Sequence, residues 1–284
     1  MVSGTTRLYG IMGHPVAHSL SPLMHTLAFQ HHHLDCLYVP FPVAPADLTV
    51  AVAGAVALGV AGFNVTIPHK EAILTHLDEI SAAAQFVGAV NTVRIHAGRT
   101  IGYNTDGEGF LQPLRALSLP FENTSVCVLG AGGAARAITM ALLQAGCPVL
   151  VVANRTLERA ERLTTTLRQR FPAARIGVEP LERAEHVARQ SSLIVNTTSA
   201  GWHGEEKPLL SEACLRGGQV VYDIVYRPLH TPLLQAARRR GATVLPGIDM
   251  LIGQGAEAFR LWTGLSFPVT AVRRALEPYL RTTS

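Results

Sequence analysis

Lysine is nearly missing from this chain: of 24 basic residues only Lys70 and Lys207 are lysines, leaving 24 − 2 = 22 arginines. Arginine stays protonated at any working pH, whereas lysine can be brought to exchange a proton. Proton chemistry by a cationic side chain is therefore confined to two positions, even if a compositional habit favouring Arg and Ala explains the ratio. Charge of any kind is sparse, at 15% of 284 residues, and no like-charge run exceeds Arg238-Arg239-Arg240. That excludes solvated charged tails and coiled coils. A hydrophobic content of 48% excludes a disordered chain. The net charge of +4 is scattered, with no stripe of Arg interleaved with aromatics, so no nucleic-acid partner is expected. Cysteine is scarce too: Cys36, Cys127, Cys147 and Cys214 stand far apart without a CxxC. Met1 to Gly13 lacks the cationic start and apolar core of a secretory leader. Free, mostly buried thiols in a reducing, cytoplasmic setting are expected.

One stretch resembles a membrane segment, since Leu48 to His69 holds no formally charged residue. A spanning helix needs about 20 predominantly apolar residues, and this stretch is interrupted by glycines and breaks at Asn64–Pro68. It reads as a buried helix near 46–58 and a buried strand near 60–66, with no membrane association.

Two βα patterns divide the chain. The first has strands at 8–13, 36–40, 60–66, 89–96 and 100–103, with helices at 21–30, 46–58 and 70–77. The second has strands at 125–129, 149–153, 174–178, 192–196, 219–224 and 243–245, with helices at 133–145, 156–170, 180–189 and 230–240. Residues 249–281 are helical by period. Strands alternating with helices predict an α/β protein with mostly parallel sheets. The boundaries are 1–108 for the first domain, completed by 249–284, and 109–248 for a doubly wound, nucleotide-binding second domain.

Gly130-Ala131-Gly132-Gly133-Ala134-Ala135 follows an apolar strand and opens a helix, as G-x-G-x-x-A requires. Glycines let the backbone turn tightly and approach a pyrophosphate, and the helix start offers unpaired N–H groups. A glycine-rich turn that only helps packing is the alternative. An NAD site usually places Asp or Glu at the end of the second strand. Here that strand ends in Asn154-Arg155-Thr156, with Arg159 one turn on, and two guanidiniums suit a 2′-phosphate. The expected cofactor is NADP(H); an ordinary Arg-rich helix start is the alternative.

The first domain carries polar residues where a core should be apolar. Alternation sets Asn64 and Thr66 on one face at the C-terminal end of a strand, where α/β sheets bind ligands. Lys70 is expected to open the next helix, where the dipole disfavours a cation and pushes its pKa toward a proton-transfer role. Gly88 to Thr92 supplies Asn91, and Asn104-Thr105-Asp106-Gly107 supplies one of six Asp residues. Ser19 and Ser21 stand before and at a Pro-led helix start. Singly, each has a plain alternative: Asn91 and Asp106 as turn residues, Ser21 as an N-cap, Lys70 as a solvated cation. The run His31-His32-His33 does not form one tight metal site, because adjacent helical side chains point apart, and no metal is expected.

Taken together, His18 to Pro22, Asn64 to Lys70, Gly88 to Thr92, Asn104 to Gly107, Gly130 to Arg136, Asn154 to Thr156, Asp223 to Tyr226 and Gln254 to Ala256 closely resemble the shikimate dehydrogenase family, over about Tyr9 to Leu280. The resemblance implies an N-terminal substrate domain and a C-terminal Rossmann-like NADP-binding domain. It also implies reduction of 3-dehydroshikimate to shikimate. It places Lys70 and Asp106 as the catalytic pair. Ser19 and Ser21 would hold the substrate carboxylate. Asn64, Thr66, Asn91 and Gln254 would meet the ring hydroxyls, with Tyr226 beside them. Gly130, Ala131, Gly132, Gly133, Ala134, Asn154, Arg155, Thr156, Arg159, Thr197, Ile224, Gly247 and Met250 would hold the cofactor. A hydride delivered to a ketone leaves an alkoxide needing a proton or a nearby cation, which is the work open to Lys70. The chain departs from the family at Thr26, after His25, and at Trp202, after Gly201. Quinate or aminoshikimate dehydrogenation, and a non-catalytic NADP-binding regulator, are the alternatives. A homodimer is compatible with the sequence.

Overall fold

The computed structural model describes residues 2–201 and 208–280; Trp202 and Lys207 lie outside them. The α/β chain divides into two compact units, Met1–Asp106 with Ile252–Glu277, and Gly107–Leu251 with Pro278–Ser284. Residues 252–277 group with the first unit and 278–280 with the second.

The first unit begins with β1 (Arg7–Gly13), α1 (Ser21–His31), β2 (Cys36–Pro42), α2 (Leu48–Ala57) and β3 (Gly62–Val65). It continues with β4 (Glu79–Ile80), α3 (Ala82–Val87), β5 (Thr92–His96) and β6 (Arg99–Tyr103). The sheet order is β2-β1-β3-β5-β6-β4. β1 runs parallel to β2 and β3, and β5 antiparallel to β3 and β6. Alternation sorts the two faces. Met12, Phe63, Val65 and Val93 pack with Leu48 and Val52 of α2. Tyr9, Ile11 and Tyr38 pack on the other face with Phe29 of α1 and with Phe259 and Trp262. Phe63 and Val65 face α2, so Asn64 between them turns to the opposite side.

The second unit follows with α4 (Asp106–Ala116), β7 (Ser125–Leu129), α5 (Gly133–Gln144), β8 (Val149–Asn154), α6 (Leu157–Arg170) and β9 (Arg175–Pro180). Then come α7 (Ala184–Gln190), β10 (Leu193–Asn196), β11 (Val220–Asp223), α8 (Pro232–Arg239), β12 (Thr243–Pro246), α9 (Gly247–Thr263) and α10 (Val269–Leu280). Its six strands are all parallel, in the order β12-β11-β10-β7-β8-β9. The strand order reverses between β7 and β10, the position where open α/β sheets bind ligands. β10 and β11 are buried along their whole length, as a sheet covered on both faces requires.

Three local expectations fail. No α-helix opens at Lys70; a five-residue 3-10 turn, Ala72–His76, stands there instead. The Lys70 carbonyl accepts the Val90 N–H at 2.8 Å, so it is bonded to the loop before β5 rather than to a following helical turn. Lys70 is therefore not set at the start of an α-helix, and no helix dipole acts on it there. Ser21 does not cap α1: Leu20 is the N-cap and Ser21 is the first helical residue, buried at 3% exposure. The helical tail is broken at 264–268 into α9 and α10. The indole N–H of Trp262 donates to the Val93 carbonyl at 3.0 Å, tying α9 to the first unit's sheet. No helix among the described residues is long and apolar enough to cross a membrane.

Candidate active site

In the first unit the chain brings Lys70 and Asp106 together at 2.5 Å, with side chains 18% and 5% exposed. A partly desolvated, charge-assisted bond of this kind is stronger than a surface ion pair. Asp106 begins α4, and Lys70 sits in the loop leaving β3, so the pair lies at strand ends. Asn91 fixes the carboxylate from the other side. Its amide nitrogen donates to Asp106 Oδ1 at 2.8 Å and to Thr105 Oγ1 at 2.9 Å. Its amide oxygen accepts the Thr105 N–H at 2.8 Å. Asn104 braces the same turn, donating to the Ala89 carbonyl at 2.9 Å and accepting the Asp106 N–H at 3.1 Å. Asn91 and Asp106 are buried members of one network, not solvent-facing turn residues.

Of the remaining substrate-side candidates, Ser19, Ser21, Asn64, Thr66 and Gln254 occupy the same unit, whereas Tyr226 lies in the second. Asn64 is buried and donates to the Asn91 carbonyl and the Thr92 hydroxyl. Thr66 follows β3, its N–H bonded to the Met12 carbonyl at 2.9 Å. Ser19 accepts the Ser21 N–H at 3.2 Å, which fixes the loop entering α1. Gln254 lies on the part of α9 that belongs to the first unit.

In the second unit, Gly130 ends β7 at φ +107°. A Cβ there would lie 2.5 Å from Thr197 Oγ1, so only glycine lets the β7 and β10 ends close. Thr197 is itself bound to the Leu129 carbonyl by its N–H at 2.8 Å and its hydroxyl at 2.7 Å. α5 starts from Gly132 without any side-chain cap, and a Cβ at Gly132 would meet nothing within 4 Å. No packing demand explains that glycine, and the helix start is left open. Gly133 and Ala134 form the first turn. β8 ends at Asn154, whose amide donates to the Thr156 carbonyl at 2.7 Å. Arg155 and Arg159 are exposed, and neither pairs with a carboxylate among the described residues. A Cβ at Gly247 would collide with the Ile224 carbonyl, so the start of α9 is held tightly against the end of β11. Met250 is buried one turn further on. Burial pushes the phenol of Tyr226 up to about 12, so it acts as a neutral hydroxyl.

Several further buried polar groups are tied into hydrogen bonds. Asp223 is fully buried, and desolvation raises its pKa to about 6. It accepts from Asn196, from the Val225 N–H, and from Thr231, the N-cap of α8. Thr105 lies within the Asn104–Gly107 motif, and Thr231 falls inside the helix expected at 230–240, which in fact begins one residue after it. Tyr38 gave no signal, because its partner is 26 positions away. Among the described residues no group of three or more His, Cys, Asp or Glu could hold a metal. His32 instead bonds the Ser266 carbonyl at 2.7 Å.

A chain with a partly buried Lys–Asp pair in one unit and, in the other, a parallel six-stranded sheet with a glycine-bare helix start has the features of an α/β oxidoreductase. Residues 11–93 match the shikimate dehydrogenase substrate binding domain, 115–219 the shikimate / quinate 5-dehydrogenase family, and 247–277 the shikimate 5'-dehydrogenase C-terminal domain. The shikimate dehydrogenase (NADP(+)) of Geobacter sp. (strain M21) is 48% identical over 99% of this chain and 98% of that protein. A crystal structure of a shikimate dehydrogenase in complex with NADP+ superposes with a TM-score of 0.92 at 37% identity, covering 99% and 98% of the two chains. The quinate dehydrogenase of Corynebacterium glutamicum in complex with NAD gives 0.89 at 33% identity, covering 96% and 99%. The chain belongs to the shikimate dehydrogenase family.

Proposed function

We propose that this chain catalyses the NADPH-dependent, reversible reduction of 3-dehydroshikimate to shikimate. The observation that carries the reading is the Lys70–Asp106 pair, held in a buried amide network beside the Asn64–Lys70 loop. NADP(H), when bound, supplies or accepts the hydride. Gly130 to Ala134 and the start of α5 would hold its pyrophosphate, and Arg155 and Arg159 its 2′-phosphate, since no carboxylate ends β8. Thr197, Ile224, Gly247 and Met250 would complete that site.

On the substrate side, Ser19 and Ser21 would take the carboxylate and Thr66, Gln254 and Tyr226 the remaining polar groups. Lys70 protonates the oxygen that becomes an alkoxide, or withdraws that proton in the reverse direction. Asp106 holds the ammonium in place and accepts from a ring hydroxyl. A cytoplasmic location fits four free cysteines, three of them buried.

The test is turnover with shikimate and with quinate, each with NADP+ and with NAD+. Shikimate with NADP+ is expected to give the highest kcat/KM. Preference for quinate with NAD+ would move the chain to the specificity of its quinate-oxidising relatives. No turnover with any pairing would sink the enzyme reading and leave an NADP-binding regulator.

A further inference from the structure

The amide network around Asp106 extends beyond the residues assigned above, across the sheet to Tyr38 on β2. β1 separates β2 from β3, with Tyr9 opposite Tyr38, Ile11 opposite Asn64, and Asn64 opposite Thr92. The Tyr38 hydroxyl reaches past β1 and donates to Asn64 Oδ1 at 2.7 Å. Asn64 passes both amide hydrogens on, to the Asn91 carbonyl at 3.1 Å and to Thr92 Oγ1 at 3.0 Å. Thr92 donates to Asn91 Oδ1 at 3.1 Å, and Asn91 holds Asp106, which holds Lys70.

The direction of this row is fixed by chemistry. A backbone carbonyl only accepts, so the nitrogen of Asn64 must face Asn91 and its oxygen must face the Tyr38 hydroxyl. Both hydrogens of Asn64 are then committed within the protein. Asn64 has none left for a substrate hydroxyl unless the row is broken.

We infer that Tyr38 is a positioning residue of the dehydrogenase site, acting through Asn64 and Asn91 to set the Asp106 carboxylate, and that Asn64 is a strut rather than a substrate ligand. The inference rests on the reaction proposed above. The surroundings make the Tyr38 bond hard to replace. Tyr38 and Asn64 are each 4% exposed, so bulk water cannot substitute for a lost donor. The His25 ring stacks on Tyr38 at 4.6 Å and 14°, and Trp262 packs at 6.2 Å, which leaves the phenol one orientation.

Tyr38→Phe keeps the stacked ring and deletes only the donor. Steady-state oxidation of shikimate with NADP+ is to be compared for wild type, Tyr38→Phe, Asn64→Ala and the double variant. Tyr38→Phe is expected to lower kcat by about tenfold while the KM for NADP+ stays unchanged. The double variant should be no worse than Asn64→Ala alone, because both cut one row. A purely structural tyrosine would lower the melting temperature and leave kcat alone; wild-type kcat, or losses that multiply, overturn the inference. A second readout needs no turnover: the side-chain amide resonances of Asn91 in a 15N-labelled sample should shift and exchange faster in Tyr38→Phe. Unchanged Asn91 resonances also overturn it. A wild-type enzyme inert toward shikimate defeats the proposed reaction, and the resonances still decide whether Tyr38 acts on Asn91.

Discussion

Asp106 is held from both sides, by Asn91 at 2.8 Å on Oδ1 and by Lys70 at 2.5 Å on Oδ2. One carboxylate oxygen is bound to a buried, neutral amide and the other to a partly exposed cation. The carboxylate is therefore fixed by the fold, and the ammonium is fixed by the carboxylate. Lys70 keeps 18% of its side chain exposed, while Asp106 keeps only 5%.

That arrangement separates two roles for Lys70. Lys70→Ala should lower kcat by roughly 100-fold or more while the protein stays folded, as expected for loss of a proton donor. Lys70→Arg keeps the charge but cannot release a proton at working pH. It is expected to be nearly as inactive as Lys70→Ala in single-turnover measurements. Substantial activity in Lys70→Arg would make Lys70 an electrostatic stabiliser instead.

The cofactor assignment is tested at the end of β8. Arg155 is exposed and unpaired among the described residues, so its removal breaks no protein contact there. Arg155→Ala should raise the Kd for NADP+ by roughly tenfold, the scale of one charge-assisted contact. The Kd for NAD+ should stay within about twofold. Equal weakening of both dinucleotides, read by calorimetry, would contradict a 2′-phosphate contact at Arg155.

Local chemistry was legible in the sequence where function needs neighbouring residues. The β7–glycine–α5 passage is such a case, because a strand end, a turn and a helix start are one continuous segment. Lys70 and Asp106 are 36 positions apart, and nothing in periodicity pairs them; only the family pattern did. The helix expected at Lys70 failed because the Lys70 carbonyl is claimed by Val90, a tertiary bond invisible to local propensity. Ser21 has the composition of an N-cap, yet Leu20 takes that position and Ser21 is buried. Tyr38 lay beyond reach for a different reason: its bond to Asn64 depends on the order of strands, since β1 alone brings β2 and β3 to either side of it.

His25 gives a prediction about acid stability. Its ring is fully buried, neither nitrogen has a hydrogen-bond partner, and desolvation lowers its pKa from 6.5 to about 3. Below pH 6.5 the unfolded chain binds a proton that the native ring refuses, so the folded state loses about 1.4 kcal/mol per pH unit down to the native pKa. The stabilising contribution is fully present above pH 6.5. His25→Phe keeps an aromatic ring against Tyr38 and removes this term. Its melting temperature should exceed that of wild type by a margin that widens from pH 7 to pH 5. A margin independent of pH would mean that His25 does not titrate on unfolding.

Asp223 carries the opposite sign, in the second unit. Burial raises its carboxyl from 3.8 to about 6, even though three donors favour the ionised form. Between those values the native state holds a proton that the unfolded chain has released, so this group's contribution falls as pH rises toward 6 and stays low above it. The raised pKa corresponds to about 3 kcal/mol against the folded state at pH 8. Asp223→Asn keeps the shape and the acceptor for Asn196 and Val225, and the Thr231 hydroxyl can turn to accept from the new amide. The second unit of Asp223→Asn is therefore expected to melt higher than wild type at pH 8, with the gap closing as pH falls toward 4. Calorimetric scans at both pH values check it. A variant less stable than wild type at pH 8 would show that the ionised carboxylate gains more from its three donors than burial takes away.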